Sequence, residues 1–253
     1  MDKIWIGHLS VAPWQDPAKW EAYFVHAQRI MGADLTHLDV SDPVRRKAVS
    51  PNDAGQFASA FEPASDSRWL FGKLGKAGVT FSIQHYRHVG LRANTLIWHV
   101  PSSFAGGPGD YQRLIALFEI GNALLDPFYS FSDALSEIAA KKKPTGAVDP
   151  QSELLGVFWL TYFNAAYVAF FGKDRLVSSP GVNIHSNGCA TVQLGESPAT
   201  VPSGLRQEVA TSLGKEAFVD TKSVLIKPPG RFALTFQQLL LSQSTAAPRD
   251  WAN

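Results

Sequence analysis

The chain has 253 residues, of which 45% are hydrophobic, 11% aromatic and 18% charged, with a formal net charge of +1. That length supports a sizeable core, and near-neutrality leaves no global field to attract nucleic acid or acidic lipid. The single cysteine, Cys189, excludes an internal disulfide and suits a reducing compartment.

Ile4–Val11 alternates well enough for a first strand. Met1–Val11 is too short an apolar stretch for a secretory leader and soon meets Pro13, Trp14 and Asp16, so cytoplasmic residence is the default expectation. Asp16-Pro17 reads as an N-cap followed by Pro at the first helical position, which predicts a helix over Ala18–Met31. Trp20, Phe24, Ala27 and Met31 recur there at helical spacing. Asp39–Ser67 is poorer in apolar residues, and its Arg45-Arg46-Lys47 run reads as a solvated face.

Val79–Tyr86 and Asn94–Val100 form a hairpin candidate joined by a loop containing Gly90. Pro101 stops the second strand. The Gly-rich loop Ser102–Gly109 lacks the Lys-Ser/Thr of a phosphate-binding loop and gives the chain room to turn. Asp110 reads as the cap of a helix over Tyr111–Leu125, with Leu114, Leu117, Phe118, Leu124 and Leu125 as its apolar stripe. Asp126-Pro127 closes it, Phe128–Phe131 adds three aromatics, and Asp133–Lys142 reads as a shorter helix. Lys143–Pro150 is the best internal linker, although the core stretch beyond it needs partners from the earlier hairpin, which argues for one mixed domain.

That stretch, Leu154–Gly172, is nineteen residues without a charge. A membrane span needs roughly 17–25 apolar residues, so length alone admits one. Thr161, Tyr162, Asn164 and Tyr167 lie too near its middle, and its aromatics are spread instead of gathered at the ends. The run divides at Asn164, into a strand GVFWLTYF and a helix AAYVAFFG. Beyond it, Cys189–Leu194 reads as a strand and Ser203–Leu213 as a helix closed by Gly214. Lys222–Lys227 is a short strand candidate, Pro228–Gly230 a turn, Phe232–Leu241 a strand or helix, and 242–253 a frayed tail. The alternation of hairpin and helices predicts an α+β fold, a largely antiparallel sheet with helices packed against it.

Chemical motifs are sparse. His85, His88 and His99 fall on the hairpin, where His85 and His99 could face each other across the pair. No HxH, HExxH or CxxC spacing accompanies them, so no metal site is expected. His185 and Cys189, in NIHSNGC, admit a thiol–imidazole nucleophile; the favoured reading is a small residue entering a strand after a turn at Asn187-Gly188. Glu196, in LGESP, is placed to order a loop, and Glu119 lies on the outer side of its helix. With no Gly-x-Ser-x-Gly and no GxGxxG after a strand, no catalytic or cofactor-binding residue is assigned.

Three phrases form a series: NTLIWHVP followed by a helix and DPFYSF, then GVFWLTYF running into a helix with FFGKDRL, then VQLGESP before a helix that leads to EAF. This order resembles the bacterial immunity proteins of polymorphic toxin systems. It is similar in particular to the immunity protein 52 family and to related type VI secretion immunity families, over roughly residues 79–218. The resemblance implies a non-enzymatic antidote that binds a cognate toxin, with neither cofactor, direct nucleic-acid contact nor membrane contact. A nuclease acting in the cytoplasm is the leading toxin class, and an NAD-degrading or nucleotide-modifying toxin the next. Asp149, Glu153 and Glu196 are the carboxylates offered to a basic nuclease groove. The rival readings are a hydrolase using Cys189 with His185, a structural subunit of a larger assembly, and an envelope protein anchored by Leu154–Gly172.

Overall fold

A computed structural model describes residues 2–14, 16–46, 67–75, 78–86, 92–141, 143, 148–223, 225 and 227–244. Among these, the strands are β1 (Ile4–Ser10), β2 (Leu35–Asp39), β3 (Ser67–Leu74), β4 (Val79–Tyr86), β5 (Asn94–Val100), β6 (Tyr129–Ala134), β7 (Leu160–Phe163), β8 (Val182–Ile184) and β9 (Ala190–Gln193). They make one antiparallel sheet in the order β2-β3-β4-β5-β1-β6-β7-β9-β8. The helices are α1 (Pro17–Met31), α2 (Pro108–Leu124), α3 (Leu135–Ala139), α4 (Ala165–Phe171), α5 (Lys173–Val177), α6 (Leu205–Gly214) and α7 (Phe236–Ser244). The protein is a single α+β domain, as the alternation predicts.

Two apolar cores lie on opposite faces of this sheet. On one face α1 and α2 pack together over β2–β5 and β1, burying Trp20, Tyr23, Phe24 and Met31 against Ile6, Phe81, Ile83 and Trp98. Burying side chains of this size is worth roughly 1.5–3 kcal/mol each, which makes the aromatic content the main source of cohesion. Two buried indoles of this core are also satisfied: Trp98 Nε1 donates to Tyr23 Oη at 2.8 Å, and Trp20 Nε1 to the Trp14 carbonyl at 2.8 Å. On the other face α4–α7 contribute Tyr167, Phe171, Leu176, Val209, Leu213 and Phe236 to a second core over β6, β7 and β9.

The helix-start signal at Asp16-Pro17 acts as read. Asp16 Oδ1 accepts the Ala18 N–H at 3.0 Å, and Gly32 closes α1 in the left-handed region. Asn164, the joint inside Leu154–Gly172, is the N-cap of α4, its Oδ1 accepting the Tyr167 N–H at 3.1 Å. The uncharged run is therefore a short central strand and a short helix, and no helix among the described residues is long and apolar enough to cross a membrane.

Several expectations are corrected. Asp110 is not the cap of α2, because that helix begins two residues earlier at Pro108. Its carboxylate instead reaches back to accept the Gly106 and Gly107 N–H groups at 3.2 and 3.1 Å. Phe128–Phe131 leads into a central strand, and the following helix is only Leu135–Ala139, because β6 runs on through Asp133 in pairing with β1. Of GVFWLTYF only Leu160–Phe163 is paired; Val157–Trp159 approaches as buried, irregular chain. The described residues of Lys222–Lys227 form no strand, and Phe232–Leu241 resolves into α7 from Phe236. The Gly90 loop, residues 144–147 of the linker candidate and 245–253 of the tail fall outside the described residues.

Two strand glycines are demanded by ring packing. Gly72 stands opposite Phe81 and Gly7 opposite Phe131, and a Cβ at either would meet the facing ring at 2.0 or 2.4 Å. The aromatic ring fills the space that the glycine leaves on the sheet surface. Gly72→Ala is expected to lower stability by about 1–3 kcal/mol through this overpacking, read as a lower urea midpoint at unchanged slope. An unchanged midpoint would show that Phe81 can swing away freely.

Candidate functional site

The residues singled out by sequence do not converge. His99 pairs with Thr80, whereas His85 pairs with Arg68 and shares the buried face of Phe81 and Ile83, so the two histidines lie on opposite faces of the sheet. The expectation that they could face each other is thus overturned by strand parity, and His88 lies outside the described residues. No group of three or more metal-ligating side chains occurs among the described residues.

His185 and Cys189 are joined by backbone, the His185 N–H donating to the Cys189 carbonyl at 2.8 Å across the β8–β9 turn. Their side chains part company. The thiol is fully buried in the first core, while the exposed imidazole makes its 2.8 Å hydrogen bond with Thr191 Oγ1. A nucleophilic thiol needs access and an adjacent base, and this one is packed as a small apolar residue.

Of the three carboxylates, Asp149 and Glu196 are exposed. Asp149 orders its own turn, accepting from the Gln151 N–H at 3.0 Å and the Ser152 hydroxyl at 3.2 Å. Glu153 is 3% exposed and bound by two ammonium groups, Lys143 and Lys227. Lys227 Nζ also donates to the Glu216 and Phe218 carbonyls at 2.8 and 2.6 Å, tying the segment after α6 to the body of the protein. Glu153 is engaged inside the fold.

Sequence reasoning missed a polar seam beneath α2. His8 on β1 is fully buried and shares a 3.0 Å hydrogen bond between Nδ1 and Ser130 Oγ on β6. Its ring lies under Gly121, where any Cβ would come within 2.4 Å of it, and against Phe118. On the Nε2 side it faces the Asn122 side chain, yet neither His8 Nε2 nor Asn122 Oδ1 completes a well-formed hydrogen bond. Burial pushes the His8 pKa down to about 3, with Asn122 offsetting part of that effect. The one legible trace was the serine alternation in FYSFSD, which places Ser130 and Ser132 on the α2 side and the aromatics on the other.

At the outer end of the seam, between α2 and the β8–β9 hairpin, a pocket of about 270 Å³ opens to solvent. Glu119 and Asn122 come from α2, Tyr162 from β7, and His185, Asn187 and Thr191 from the hairpin. It exists because α1 and α2 cover β1–β6 on this face but stop short of β9 and β8, leaving Asn183, Gln193 and His185 exposed.

Neither a protein-family model nor a curated protein sequence matches the chain. The structure does find a likeness. It is similar to the solved structure of the Pseudomonas aeruginosa T6SS protein PA0821, with a TM-score of 0.57 at 16% identity, covering 94% of this chain and 80% of that one. At that identity the likeness establishes the shared fold and nothing finer.

Two measurements check the site's interior. Unfolded His8 takes up a proton near pH 6.5 and the folded ring only near pH 3, so the unfolded state binds more protons between these values. Its contribution to stability is complete above about pH 6.5 and is lost as the pH falls toward 3; His8→Asn should flatten the urea-midpoint profile across that window. A variant profile parallel to the wild type would place the acid sensitivity elsewhere. Cys189 should resist a thiol-reactive dye in native buffer and react fully in denaturant, and rapid native labelling would contradict its burial.

Proposed function

We propose that the protein is an immunity protein of the type VI secretion world, of the immunity protein 52 kind, which neutralises a toxin by binding it. The observation that carries this reading is the fold likeness to a T6SS protein along 94% of the chain. The aromatic phrases that resemble immunity families point the same way, and they occupy the core strands: Trp98 on β5, Tyr129 and Phe131 on β6, Tyr162 and Phe163 on β7.

A scaffold with two cores on one sheet suits this task. Binding costs translational and conformational freedom, and a rigid surface lowers the second of these. A stable complex would bury on the order of 1,200–2,000 Å² around a few anchors. The toxin proposed is a nuclease acting in the cytoplasm, whose basic groove would face solvent-exposed carboxylates such as Asp149 and Glu196. Glu153, engaged by two lysines, is left out of that surface.

The test is capture from the native bacterial host with a tagged chain. One stoichiometric partner, toxic when expressed alone and harmless when co-expressed with this protein, is the expected result. Failure to protect cells from that partner would overturn the proposal. In the same assay Asp149→Lys with Glu196→Lys should weaken the complex at least tenfold, and an unchanged dissociation constant would remove both carboxylates from the interface.

A further inference from the structure

Asn187-Gly188 is the single Asn-Gly pair in the chain, and it forms the tip of the β8–β9 turn. Backbone closes this turn: the Gly188 N–H donates to the His185 carbonyl at 3.0 Å, and the His185 N–H to the Cys189 carbonyl at 2.8 Å. Gly188 has a φ of 81°, in the left-handed region that its missing side chain allows. Asn187 is exposed, and its Oδ1 accepts the Cys189 N–H at 3.1 Å. Asparagine belongs to the thermolabile residues, and here its amide carbon has a backbone nitrogen and solvent beside it.

We propose that Asn187 is a site of self-modification, where the folded chain converts its own asparagine to aspartate and isoaspartate without an enzyme. The Gly188 backbone nitrogen attacks Asn187 Cγ and gives up its proton to water. As that C–N bond forms, the side-chain nitrogen takes a proton from water and leaves as ammonia, so a cyclic succinimide remains. Water then opens either carbonyl of the ring, giving aspartate or isoaspartate; in sum, water is consumed and ammonia released. Three features favour the first step. Glycine places no Cβ over the attacking nitrogen. The Cys189 N–H already bonds the oxygen on which negative charge develops in the tetrahedral intermediate, as an oxyanion-hole donor does. Exposure of Asn187 supplies the water for proton transfer and for hydrolysis. The Gly188 bond to the His185 carbonyl opposes attack. It lies, however, at the end of a three-residue strand on the border of the sheet, where local opening costs least. The two products differ in effect. Aspartate keeps the acceptor for Cys189 and adds a negative charge at the pocket that Glu119 also lines. Isoaspartate routes the main chain through Cβ and Cγ, which inserts a methylene and prevents the turn from pairing His185 with Cys189. None of this depends on the immunity reading.

The test is to age the full chain in warm, mildly alkaline buffer and follow each asparagine by peptide mass mapping, with an isoaspartyl methyltransferase to count isoaspartate. Asn187 should convert at least tenfold faster than Asn94, Asn122, Asn164 and Asn183, and no more slowly in the folded chain than in denaturant. A folded chain that keeps Asn187 intact while the unfolded chain loses it would overturn the proposal, because the turn would then be a shield. Gly188→Ala should slow the conversion at least tenfold. Since alanine is strained at that φ, Asn187→Gln serves as a second variant that leaves the glycine in place, and it should abolish the conversion. Ammonia release and isoaspartate counts unchanged in Asn187→Gln would place the reaction at another residue and reject this one. In the separated isoaspartyl fraction, the His185 and Gly188 amides should lose the hydrogen-exchange protection that Asn187→Asp retains. Equal protection in the two would overturn the predicted opening of the turn.

Discussion

The Asp133 carboxylate has no exposure to water, and much of the protein is arranged so that it need not. Its Oδ2 accepts the Trp159 N–H at 2.8 Å and Arg206 Nε at 2.7 Å; its Oδ1 accepts the Ala134 N–H at 2.8 Å and Arg206 Nη2 at 2.9 Å. A buried charge of this kind is tolerated only with near-complete pairing, and breaking one such pair typically costs about 3–5 kcal/mol. Because the donors come from β6, from the entry to β7 and from α6, the carboxylate sets the spacing of three segments far apart in sequence. The second core is built around that spacing, and Trp159 carries it into the first, where its ring meets Tyr111 of α2 edge-on at 5.9 Å.

Much of this was legible in advance where the signal was local. Asp16-Pro17 caps the helix it precedes, the uncharged run divides at Asn164 as read, and β4 and β5 alternate as their patterns predict. Non-local features were not legible. Phe128–Phe131 has no face toward solvent, because β6 sits between β1 and β7 with both sides covered, so its alternation is of serine with aromatic, both buried, and not of polar surface with apolar core. Asp110 looked like a cap because its carboxylate does bind the helix entrance, only from inside the first turn. Glu153 looked like a surface charge because its lysine partners lie ten residues before and seventy-four after it, by the numbering of Lys143 and Lys227.

The candidate site was the least legible part. Pocket residues come from α2, β7 and the β8–β9 hairpin, and no two of the elements are joined by a short motif. The Cys189–His185 pair attracted notice by spacing of reactive types, yet strand geometry sends one into the core and the other to the rim. Glu119 was read correctly as lying outside the apolar stripe, but a helix wheel cannot tell which part of the outside borders another element. His8, the most perturbed histidine, carries no motif at all.

The ends of the sheet bear on how the molecule behaves at high concentration. At one end, Leu38 of β2 donates its outward N–H to the Arg46 carbonyl at 3.1 Å, and the β2–β3 register shifts between Leu35 and His37. At the other, β8 offers only three residues before the chain turns. A sheet bordered this way presents little template for another chain to extend. Among the described residues, the nine-stranded sheet leaves few free backbone groups at its two ends, which lowers its tendency to template a second copy when concentrated.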